Sequence, residues 1–310
     1  MTVQVLLGTY NGEAWLPELL QSLENQTDPD FRVLYQDDGS TDGTPELLAD
    51  LSRRDPRFEA GKEQGKRLGA KGNFMSLIRQ ADGDAVMLCD QDDVWEPGKI
   101  ARLRRAMAEA EHQYGRGTPL LIHSDCSGMD EKGAILFESF FRHQGWDPEA
   151  TDLPRLLVQN NITGCTLIMN RRMTELAAAL GDPDRMFMHD WFLGLTAASF
   201  GRILFLDEAL TRYRQHGDNT IGASAGGQVS RGMQALSRWE KGKERMRLTY
   251  DHARSFREMT GDSLPAAAGQ LIDAYLATEK LPKLQRIRAV RRLGCVMQSR
   301  VTRMGQIVFG

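Results

Sequence analysis

The sequence has 310 residues, with 41% hydrophobic and 26% charged side chains and a formal net charge of −3. These values are those expected of a soluble globular chain with one large domain and an appendage, or with two modest domains. No run of about 18 apolar residues is present, which excludes a transmembrane helix, and no basic region precedes the first apolar run, as it would in a signal peptide.

Strands and helices alternate along the first part of the sequence. Apolar runs predict strands, and helical spacing of apolar residues predicts helices between them. The predicted strands are 3–9, 31–35, 85–89 and 119–123, and the predicted helices are 13–25, 45–53, 72–80 and 100–113. This alternation with short connections predicts an α/β fold, with a mostly parallel central sheet and helices on both faces.

The alternation loosens after residue 125. Further strands are predicted at 161–169 and 202–206, and further helices at 171–180 and 187–200. A Gly/Ser-rich link at 222–227 is followed by helical sequence to the end. We therefore expect a C-terminal helical extension after the α/β part of the chain.

The four cysteines are far apart in the sequence and form no CxxC pair. They are Cys89, Cys126, Cys165 and Cys295. We expect buried free thiols in a reducing compartment, which indicates a cytoplasmic protein.

Three predicted strands end in polar sequence that could hold a ligand. The segments are TYNGE after 3–9, QDDGSTD after 31–35 and DQDD after 85–89. In mostly parallel sheets, ligands bind outside the carboxyl ends of the strands. The coincidence of three polar strand ends therefore predicts one ligand site at this edge of the sheet.

The last of these segments places Asp90, Asp92 and Asp93 within four residues. Closely spaced carboxylates suit a hard cation such as Mg²⁺ or Mn²⁺, and Mg²⁺ usually completes its shell with substrate phosphates. The segment predicts a metal site that also binds a phosphorylated ligand. An acidic turn that caps the helix near Pro97 is the alternative.

The second segment contains Asp37 and Asp38 among small residues. One of these carboxylates could accept the N–H of a pyrimidine base, with Thr9, Tyr10 and Asn11 around the same base. A tight turn followed by a helix N-cap is the alternative.

The polar segments, together with blocks further along the chain, resemble a known family. In order, the blocks are T-Y-N-G (9–12), D-D-G-S-T-D (37–42), D-Q-D-D-V-W (90–95), H-S-D (123–125), N-N-I-T-G-C (160–165), H-D-W-F (189–192) and Y-R-Q-H-G-D-N (213–219). Together they resemble the inverting family-2 glycosyltransferases of the GT-A fold, and among these the rhamnosyltransferase-like enzymes of bacterial surface polysaccharide synthesis. The resemblance extends from residue 3 to about residue 222.

The resemblance implies a division of the chain and a chemistry. It implies a GT-A domain over 1–222, with a nucleotide-binding half at about 1–118 and an acceptor-binding half at about 119–222, and an extension over 223–310. The donor would be a nucleoside-diphosphate sugar, either dTDP-rhamnose or a UDP-hexose, and the cofactor Mg²⁺ or Mn²⁺. A glycan or lipid-linked acceptor would receive the sugar with inversion.

The resemblance also implies roles for individual residues. The donor nucleotide would be bound by Thr9, Tyr10, Asn11, Glu13, Asp37, Asp38, Asp90 and Lys71. Lys71 lies in a stretch, 61–74, that departs from the N-x-G motif of many relatives, so which of its basic residues reaches phosphate is left open. The metal would be bound by Asp92 and His216, with Asp93 in support. Asp190 would be the catalytic base, and the acceptor would contact Gly164, Cys165, His189 and Trp191.

The C-terminal segment is strongly basic. Residues 280–310 contain eight Lys or Arg and no Asp or Glu, which leaves 31 basic and 42 acidic side chains in residues 1–279. Residues 283–309 have apolar side chains at helical spacing, which predicts an amphipathic helix that lies on an anionic membrane as a peripheral contact. Packing on the acidic body of the chain, or a homodimer contact, is the alternative, and nucleic acid is not expected.

Two other functions are weighed against sugar transfer. A nucleotidyltransferase that makes nucleotide sugars usually has a Gly-rich, basic phosphate loop after the first strand, and TYNGEAW contains no such loop. A non-catalytic nucleotide- or glycan-binding module could lose the base or the D-x-D carboxylates, and this chain keeps both.

Overall fold

The computed structural model describes residues 1–216 and 231–309, and its strands form a single curled sheet. Strands β1 to β9 are Val3–Thr9, Phe31–Asp37, Phe58–Ala60, Ala85–Asp90, Val94–Trp95, Leu120–Met129, Ile135–Phe137, Leu167–Asn170 and Arg202–Arg214. Helices α1 to α12 are Leu16–Glu24, Thr44–Arg54, Gly69–Gln80, Lys99–Tyr114, Phe140–Gln144, Leu153–Leu156, Arg171–Leu180, His189–Phe200, Arg231–Thr260, Ala266–Ala277, Lys283–Arg292 and Arg300–Phe309. The predicted boundary at 222 and the link at 222–227 lie outside the described residues.

The strand order in the sheet is β3-β2-β1-β4-β8-β6-β9-β5, with β7 paired to β6. The pairs β1–β2, β1–β4, β2–β3 and β6–β9 are parallel. Strand β8 lies antiparallel between β4 and β6, and therefore joins the first and second parts of the sheet through hydrogen bonds. The prediction of an α/β fold with a mostly parallel sheet is confirmed.

Two apolar cores cover the two faces of the sheet, because alternate side chains of a strand point to opposite faces. In β1, Val5 and Leu7 belong to the core that also contains the apolar side of α1, whereas Leu6 belongs to the opposite core. The opposite core also contains Phe256 of α9 and Ile272 of α10. The C-terminal helices thus pack on the same apolar core as one face of the sheet.

Several element bounds differ from the sequence predictions. Residues 161–163 do not belong to a strand; a 3-10 turn at Gly164–Thr166 precedes the short β8. The polar side chains of 160–163 make local contacts instead, such as Asn160 Nδ2 to the Ile162 carbonyl at 2.8 Å. Strand β9 extends from residue 202 to 214, well past the predicted end at 206, because it pairs with β6 along its length.

The basic segment 283–309 forms two helices, α11 and α12, so the prediction of one continuous helix is wrong. The chain leaves α11 through Gly294, whose φ of +76° suits glycine, and Cys295 N donates to the Val290 carbonyl. Val290, Cys295 and Met297 are buried in the core that contains α9 and α10, and they fix the connection between α11 and α12 against it. Among the helices of residues 1–216 and 231–309, none has both the length and the apolar character needed to cross a bilayer.

Candidate active site

The carboxyl ends of β2, β1 and β4 lie side by side, as the polar strand ends predicted. In the parallel register Thr9 is opposite Asp37, and Gly8 is opposite Asp90. The TYNG, QDD and DQDD segments therefore leave the sheet at one edge. The candidate active site lies at this edge of the sheet.

Asp37 is buried and its carboxylate stabilises its own turn. It accepts hydrogen bonds from Thr9 Oγ1 at 3.0 Å, from Gly39 N at 3.0 Å and from Ser40 N at 2.8 Å. These contacts hold the QDD turn against the end of β1. The structure thus places Thr9 and Asp37 together, beneath the surface of the predicted nucleotide site.

Asp38, the next residue, holds the loop that precedes α3. Its oxygens accept hydrogen bonds from Leu68 N at 2.5 Å and Gly69 N at 2.8 Å. Burial raises the pKa of Asp38, and the two backbone donors oppose this effect. Asp38 therefore fixes the loop 61–68 beside the end of β1.

Tyr10 presents an aromatic ring at the site, with 39% of the residue exposed. The Arg67 guanidinium lies over this ring, 4.2 Å from its centroid, and Nη1 donates to the Tyr10 hydroxyl. Gln91 bonds both main-chain groups of Tyr10, at 2.8 and 2.7 Å. Sequence reasoning missed Gln91, although its position inside the D-Q-D-D segment was the available signal.

Asn11 and Glu13 connect the TYNG turn to the turn after β2. Asn11 has a positive φ of 47°, a conformation that asparagine tolerates, and its Oδ1 accepts from Thr41 N at 2.9 Å. Glu13 Oε2 accepts from Gly43 N at 2.9 Å. Both side chains therefore stabilise the walls of the predicted nucleotide site.

Lys71 lies on α3, and its ammonium is directed to the other half of the molecule. Nζ donates to the Met186 carbonyl at 2.8 Å. This contact ties α3 to the segment that precedes α8. Arg67, another basic residue of the 61–74 stretch, lies at the exposed nucleotide edge beside Tyr10.

The acidic cluster after β4 combines the predicted metal ligands. Asp92 Oδ2 and His216 Nε2 are 2.7 Å apart, although the residues are separated by 124 positions. Donor atoms of Asp90, Asp93 and Cys165 lie within 4.8 Å of one another. The structure thus brings the two predicted ligands together and places a second group of donors beside them.

The donor chemistry of this cluster fits a divalent cation. Asp93 is buried, and its Oδ2 has no hydrogen-bond partner among residues 1–216 and 231–309. Burial and the neighbouring Asp92 raise the pKa of Asp93 to about 7, and burial together with Asp93 raises the pKa of Asp90 well above its ordinary value. A cation would offset this repulsion, and carboxylate oxygens are the ligands that Mg²⁺ and Mn²⁺ prefer.

Arg214, at the end of β9, makes buried contacts that fix the acidic turn after β4. Its side chain is 1% exposed, pairs with Glu18 and lies 4.8 Å from the Trp15 ring centroid. Nε donates to the Asp92 carbonyl at 2.8 Å, and Arg214 N donates to Asp93 Oδ1 at 3.1 Å. One buried guanidinium therefore positions the turn that carries the predicted metal ligand.

Replacing Arg214 by Met is expected to lower the free energy of unfolding by about 2–4 kcal/mol, because buried carbonyls lose a charged donor. Urea unfolding followed by circular dichroism measures this change. Arg212→Met is the matched control on the same strand. Its ion pair with Glu96 is exposed, so its loss is expected to cost under about 1 kcal/mol. Equal stability losses in the two variants would contradict the role of Arg214.

Lys99 is a second buried cation that sequence reasoning missed. It is fully buried at the start of α4, and Nζ donates to the Cys165 carbonyl at 2.6 Å and to Thr211 Oγ1 at 2.8 Å. Burial lowers the pKa of Lys99, and nearby Asp93 opposes this effect. Its contacts join α4, the 3-10 turn at Gly164–Thr166 and β9 beneath the acidic cluster.

Asp190, the predicted base, lies in the first turn of α8. Its Oδ1 accepts from Trp191 N at 2.6 Å, and the Trp191 N–H, the nearby Asn160 side chain and the Gly164 N–H favour the ionised form and lower the pKa. Burial nevertheless raises the pKa of Asp190 to about 7. A Cβ on Gly164 would lie 3.8 Å from the Asp190 Cβ, and the next residue, Cys165, has its sulfur within 4.8 Å of donor atoms of Asp90 and Asp93, so Asp190 lies near the acidic cluster.

The residues predicted for the acceptor lie around Asp190 but are largely covered. A Cβ on Gly164 would lie 3.1 Å from His189 Nε2, and Cys165 is fully buried. His189 stacks on Phe74 at 4.5 Å, and burial lowers its pKa to about 4.

Trp191 is also engaged within the protein. Its Nε1 donates to the Leu156 carbonyl at 2.6 Å, and its ring lies 4.3 Å from that of His252 on α9. The neighbouring exposed aromatic side chain is Phe187, which is 43% exposed and meets the Trp191 ring edge-on at 6.0 Å. Sequence reasoning did not single out Phe187, because only the structure shows that it is exposed beside Trp191.

Comparison with known proteins agrees with this geometry. The family model for "Glycosyl transferase family 2" matches residues 4–168, just over half of the chain. A dTDP-rhamnosyl transferase, RfbG of Shigella flexneri, is 26% identical over 231 residues, which cover 70% of this chain and 74% of that protein. The putative glycosyltransferase EpsH of Bacillus subtilis is 26% identical, with coverage of 69% of this chain and 61% of that protein.

Solved structures with a similar fold include complexes with UDP and with GDP-Man. S. aureus TarS 1-349 in complex with UDP has a TM-score of 0.58 at 19% identity and covers 99% of this chain and 86% of that one. This chain spans about half, 52%, of the longer TarS structure. The mannosyltransferase PcManGT from Pyrobaculum calidifontis, in complex with GDP-Man and Mn²⁺, has a TM-score of 0.52 at 17% identity. The match covers 94% of this chain and 72% of PcManGT.

The GT-A fold expected from the sequence blocks is therefore confirmed, and so is the enzyme class. The family match favours sugar transfer over the two alternative functions, a nucleotidyltransferase and a non-catalytic binding module. The match over 4–168 includes the strand ends that carry Asp37, Asp38 and the acidic cluster. The chain is a glycosyltransferase and belongs to glycosyl transferase family 2.

Proposed function

We propose that this enzyme transfers a sugar from a nucleoside-diphosphate sugar to a hydroxyl group of a glycan or lipid-linked acceptor, with inversion and with a divalent metal. The observation that carries the proposal is the position of Asp190. This half-buried carboxyl group, with its pKa raised to about 7, lies close to Gly164, and the neighbouring Cys165 belongs to the same cluster as Asp90 and Asp93. The proposed base would therefore stand beside the proposed diphosphate site, as a single displacement requires.

Asp190 would remove the proton of the attacking hydroxyl group. The acceptor oxygen forms a bond to the anomeric carbon while the bond from that carbon to the diphosphate oxygen breaks, and the proton moves to Asp190. Attack from the face opposite the leaving group inverts the configuration. A pKa near 7 makes Asp190 a stronger base than an exposed aspartate, while leaving a large ionised fraction at neutral pH.

Asp92 and His216 would hold the metal, with Asp90 beside it, and Asp93 would support the turn. A bound divalent cation supplies Lewis-acid stabilisation of the charge on the leaving diphosphate. The protein contributes the rigid placement of the ligands: Arg214 bonds the Asp92 carbonyl and Lys99 bonds the Cys165 carbonyl. Mg²⁺ and Mn²⁺ both suit this donor set.

The nucleotide would bind along the TYNG and QDD turns. Tyr10 would provide the exposed ring, Asp38 the buried carboxylate and Arg67 a cation for phosphate. The name of the dTDP-rhamnosyl transferase RfbG and the UDP complex of TarS support a dTDP-rhamnose or a UDP-hexose donor. We place the reaction in bacterial cell-surface polysaccharide synthesis, as the sequence blocks imply. Buried thiols at Cys89, Cys126, Cys165 and Cys295 support work in the cytoplasm.

A thermal-shift panel of nucleotide sugars with Mn²⁺ tests the donor class. The true donor, at about 100 times its Kd, is expected to stabilise the folded protein by about 2.7 kcal/mol, because ligand binding to the folded state shifts unfolding by mass action. Omission of Mn²⁺, with EDTA present, is expected to remove most of the shift. A panel in which no nucleotide sugar raises Tm would overturn the proposed donor class.

A further inference from the structure

The two C-terminal helices form a fixed platform on the protein surface. Lys283 Nζ, at the start of α11, donates to the Val308 carbonyl near the end of α12 at 2.6 Å. Gln306 Nε2 donates to the Cys295 carbonyl at 2.7 Å, and Gln306 Oε1 accepts from Met297 N at 3.0 Å. The beginning of one helix therefore lies beside the end of the other.

This platform exposes large apolar side chains to solvent. Leu284 is 73% exposed, Met304 is 66% exposed and Val308 is 37% exposed. Among the large apolar residues that the structure describes, Leu284 and Met304 are the most exposed. Leu284 directly follows Lys283, whose Nζ bonds the Val308 carbonyl, so Leu284 and Val308 lie near each other where the start of α11 meets the end of α12.

The polar side chains of the same surface are positively charged. Residues 280–310 carry eight basic and no acidic side chains. Arg288 and Arg292 are exposed and follow Leu284 at intervals of four residues, which places all three on one side of α11. Among the described side chains, no ion pair joins Lys280, Lys283, Arg286, Arg288, Arg291, Arg292 or Arg303 to a carboxylate, and Glu279 pairs with Arg254.

A narrow cleft opens between this platform and the helices below it. The lining residues include Tyr250, Tyr275, Arg286, Val290, Arg303 and Ile307, and the space measures about 390 Å³ including its open mouth. The rings of Tyr250 and Tyr275 are stacked 4.7 Å apart. Arg286 Nε is buried and has no hydrogen-bond partner among the described residues. The cleft is therefore apolar inside, with arginines among its walls.

The positive charge of the platform and its exposed apolar side chains together fit one kind of partner. An anionic bilayer offers phosphates to the basic side chains and acyl chains to Leu284 and Met304. A second copy docked through the same face would bring like charges together, since each platform is basic. Nucleic acid would satisfy the charges and leave the exposed apolar side chains without a partner.

We propose that α11 and α12 dock this enzyme on an anionic phospholipid bilayer, with Leu284, Met304 and Val308 inserted at the interface. The inference goes beyond sugar transfer, because none of these residues lies at the candidate active site. It places the acidic cluster and Asp190 on a body held at the membrane, where a lipid-linked acceptor is confined.

Co-sedimentation of the full chain with vesicles tests the proposal. Vesicles of phosphatidylcholine with a quarter phosphatidylglycerol are compared with pure phosphatidylcholine, at low and at high salt. We expect binding to the anionic vesicles alone, and weaker binding at high salt because the attraction is screened. L284D combined with M304D is expected to weaken binding at least about tenfold. R288A combined with R292A is expected to weaken it about 25-fold, or about fivefold per arginine.

Matched controls are available on the body of the same chain. Leu136 is 54% exposed and the Arg116 side chain is 85% exposed, so L136D and R116A repeat the chemical changes outside the platform. Both are expected to bind the anionic vesicles as the unmodified chain does. Circular dichroism and the donor thermal shift check that every variant is folded and binds donor.

Three results would overturn the proposal. They are equal binding to neutral and anionic vesicles, equal loss in the platform and control variants, and concentration-dependent self-association that L284D with M304D abolishes while vesicles remain unbound. The last result would assign the face to a second copy of the chain. Failure of the donor thermal shift with normal vesicle binding would instead count against the proposed function.

Discussion

Asp190→Asn is expected to lower the turnover of sugar transfer by about 10²–10⁴-fold, the usual contribution of a general base. Asparagine has nearly the same volume and keeps an oxygen that can accept from Trp191 N, so the start of α8 is expected to stay in place. Donor affinity is expected to change by less than about twofold, since the proposed role of Asp190 is to act on the acceptor hydroxyl. Steady-state kinetics and calorimetric donor titration measure the two quantities separately.

The pH profile provides a second measurement of the same role. The base acts in its ionised form, and burial raises the pKa of Asp190 to about 7. The value of kcat/KM is therefore expected to rise with pH up to about 7 and then to level. The residual activity of the Asn variant is expected to lack this rise. A profile already level above pH 5, or full turnover in the variant, would remove Asp190 as the base.

Asp92→Ala is expected to abolish the dependence of donor binding on Mn²⁺ and to lower transfer at least about 100-fold. The carboxylate lies 2.7 Å from His216 in the cluster that is proposed to hold the metal. Its removal takes away a ligand and also the partner of the His216 ring. Donor titrations with Mn²⁺ and with EDTA measure the loss, and His216→Ala is expected to weaken the Mn²⁺ effect in the same direction.

Asp50→Ala is the matched control for this change. Its side chain is 58% exposed on α2, where it pairs with Arg53, so its removal is expected to leave metal dependence unaltered. Urea unfolding of both variants separates a loss of metal binding from a loss of folding. Mn²⁺-dependent transfer at the full rate in folded Asp92→Ala would show that the metal is held elsewhere.

The sequence was sufficient to predict the elements in which local pattern and tertiary environment agree. Strand β1 is an apolar run buried on both faces of a parallel sheet, and it was predicted with the bounds 3–9 that the structure has. Helix α7 was likewise predicted at 171–180. The placement of Asp37 and Asp90 at one edge of the sheet, on either side of β1, followed from the parallel order of β2, β1 and β4, since carboxyl ends of such strands share an edge.

The remaining features depend on contacts between distant parts of the chain. Lys99 meets the Cys165 carbonyl across 66 positions, and Arg214 meets the Asp92 carbonyl across 122. Neither cation is marked by local spacing, because a basic residue at a helix start or a strand end is ordinarily solvated. The break of the basic segment at Gly294 also depends on tertiary burial of Cys295 and Met297, which helical spacing does not report.

Strand β8 has a consequence for the exchange of parts between related enzymes. It lies antiparallel between β4, which ends at Asp90, and β6, and the turn before it carries Gly164 and Cys165. The acidic cluster and the residues Gly164 and Cys165 therefore belong to segments of one hydrogen-bonded sheet. A chimera that replaces the part of the sheet after β4 would need to keep the Ala85–Asn170 and His123–Leu167 registers, or the acidic cluster and Asp190 would lose their alignment. Under the proposed function, changes of acceptor specificity are therefore better sought in exposed side chains such as Phe187 than in whole segments.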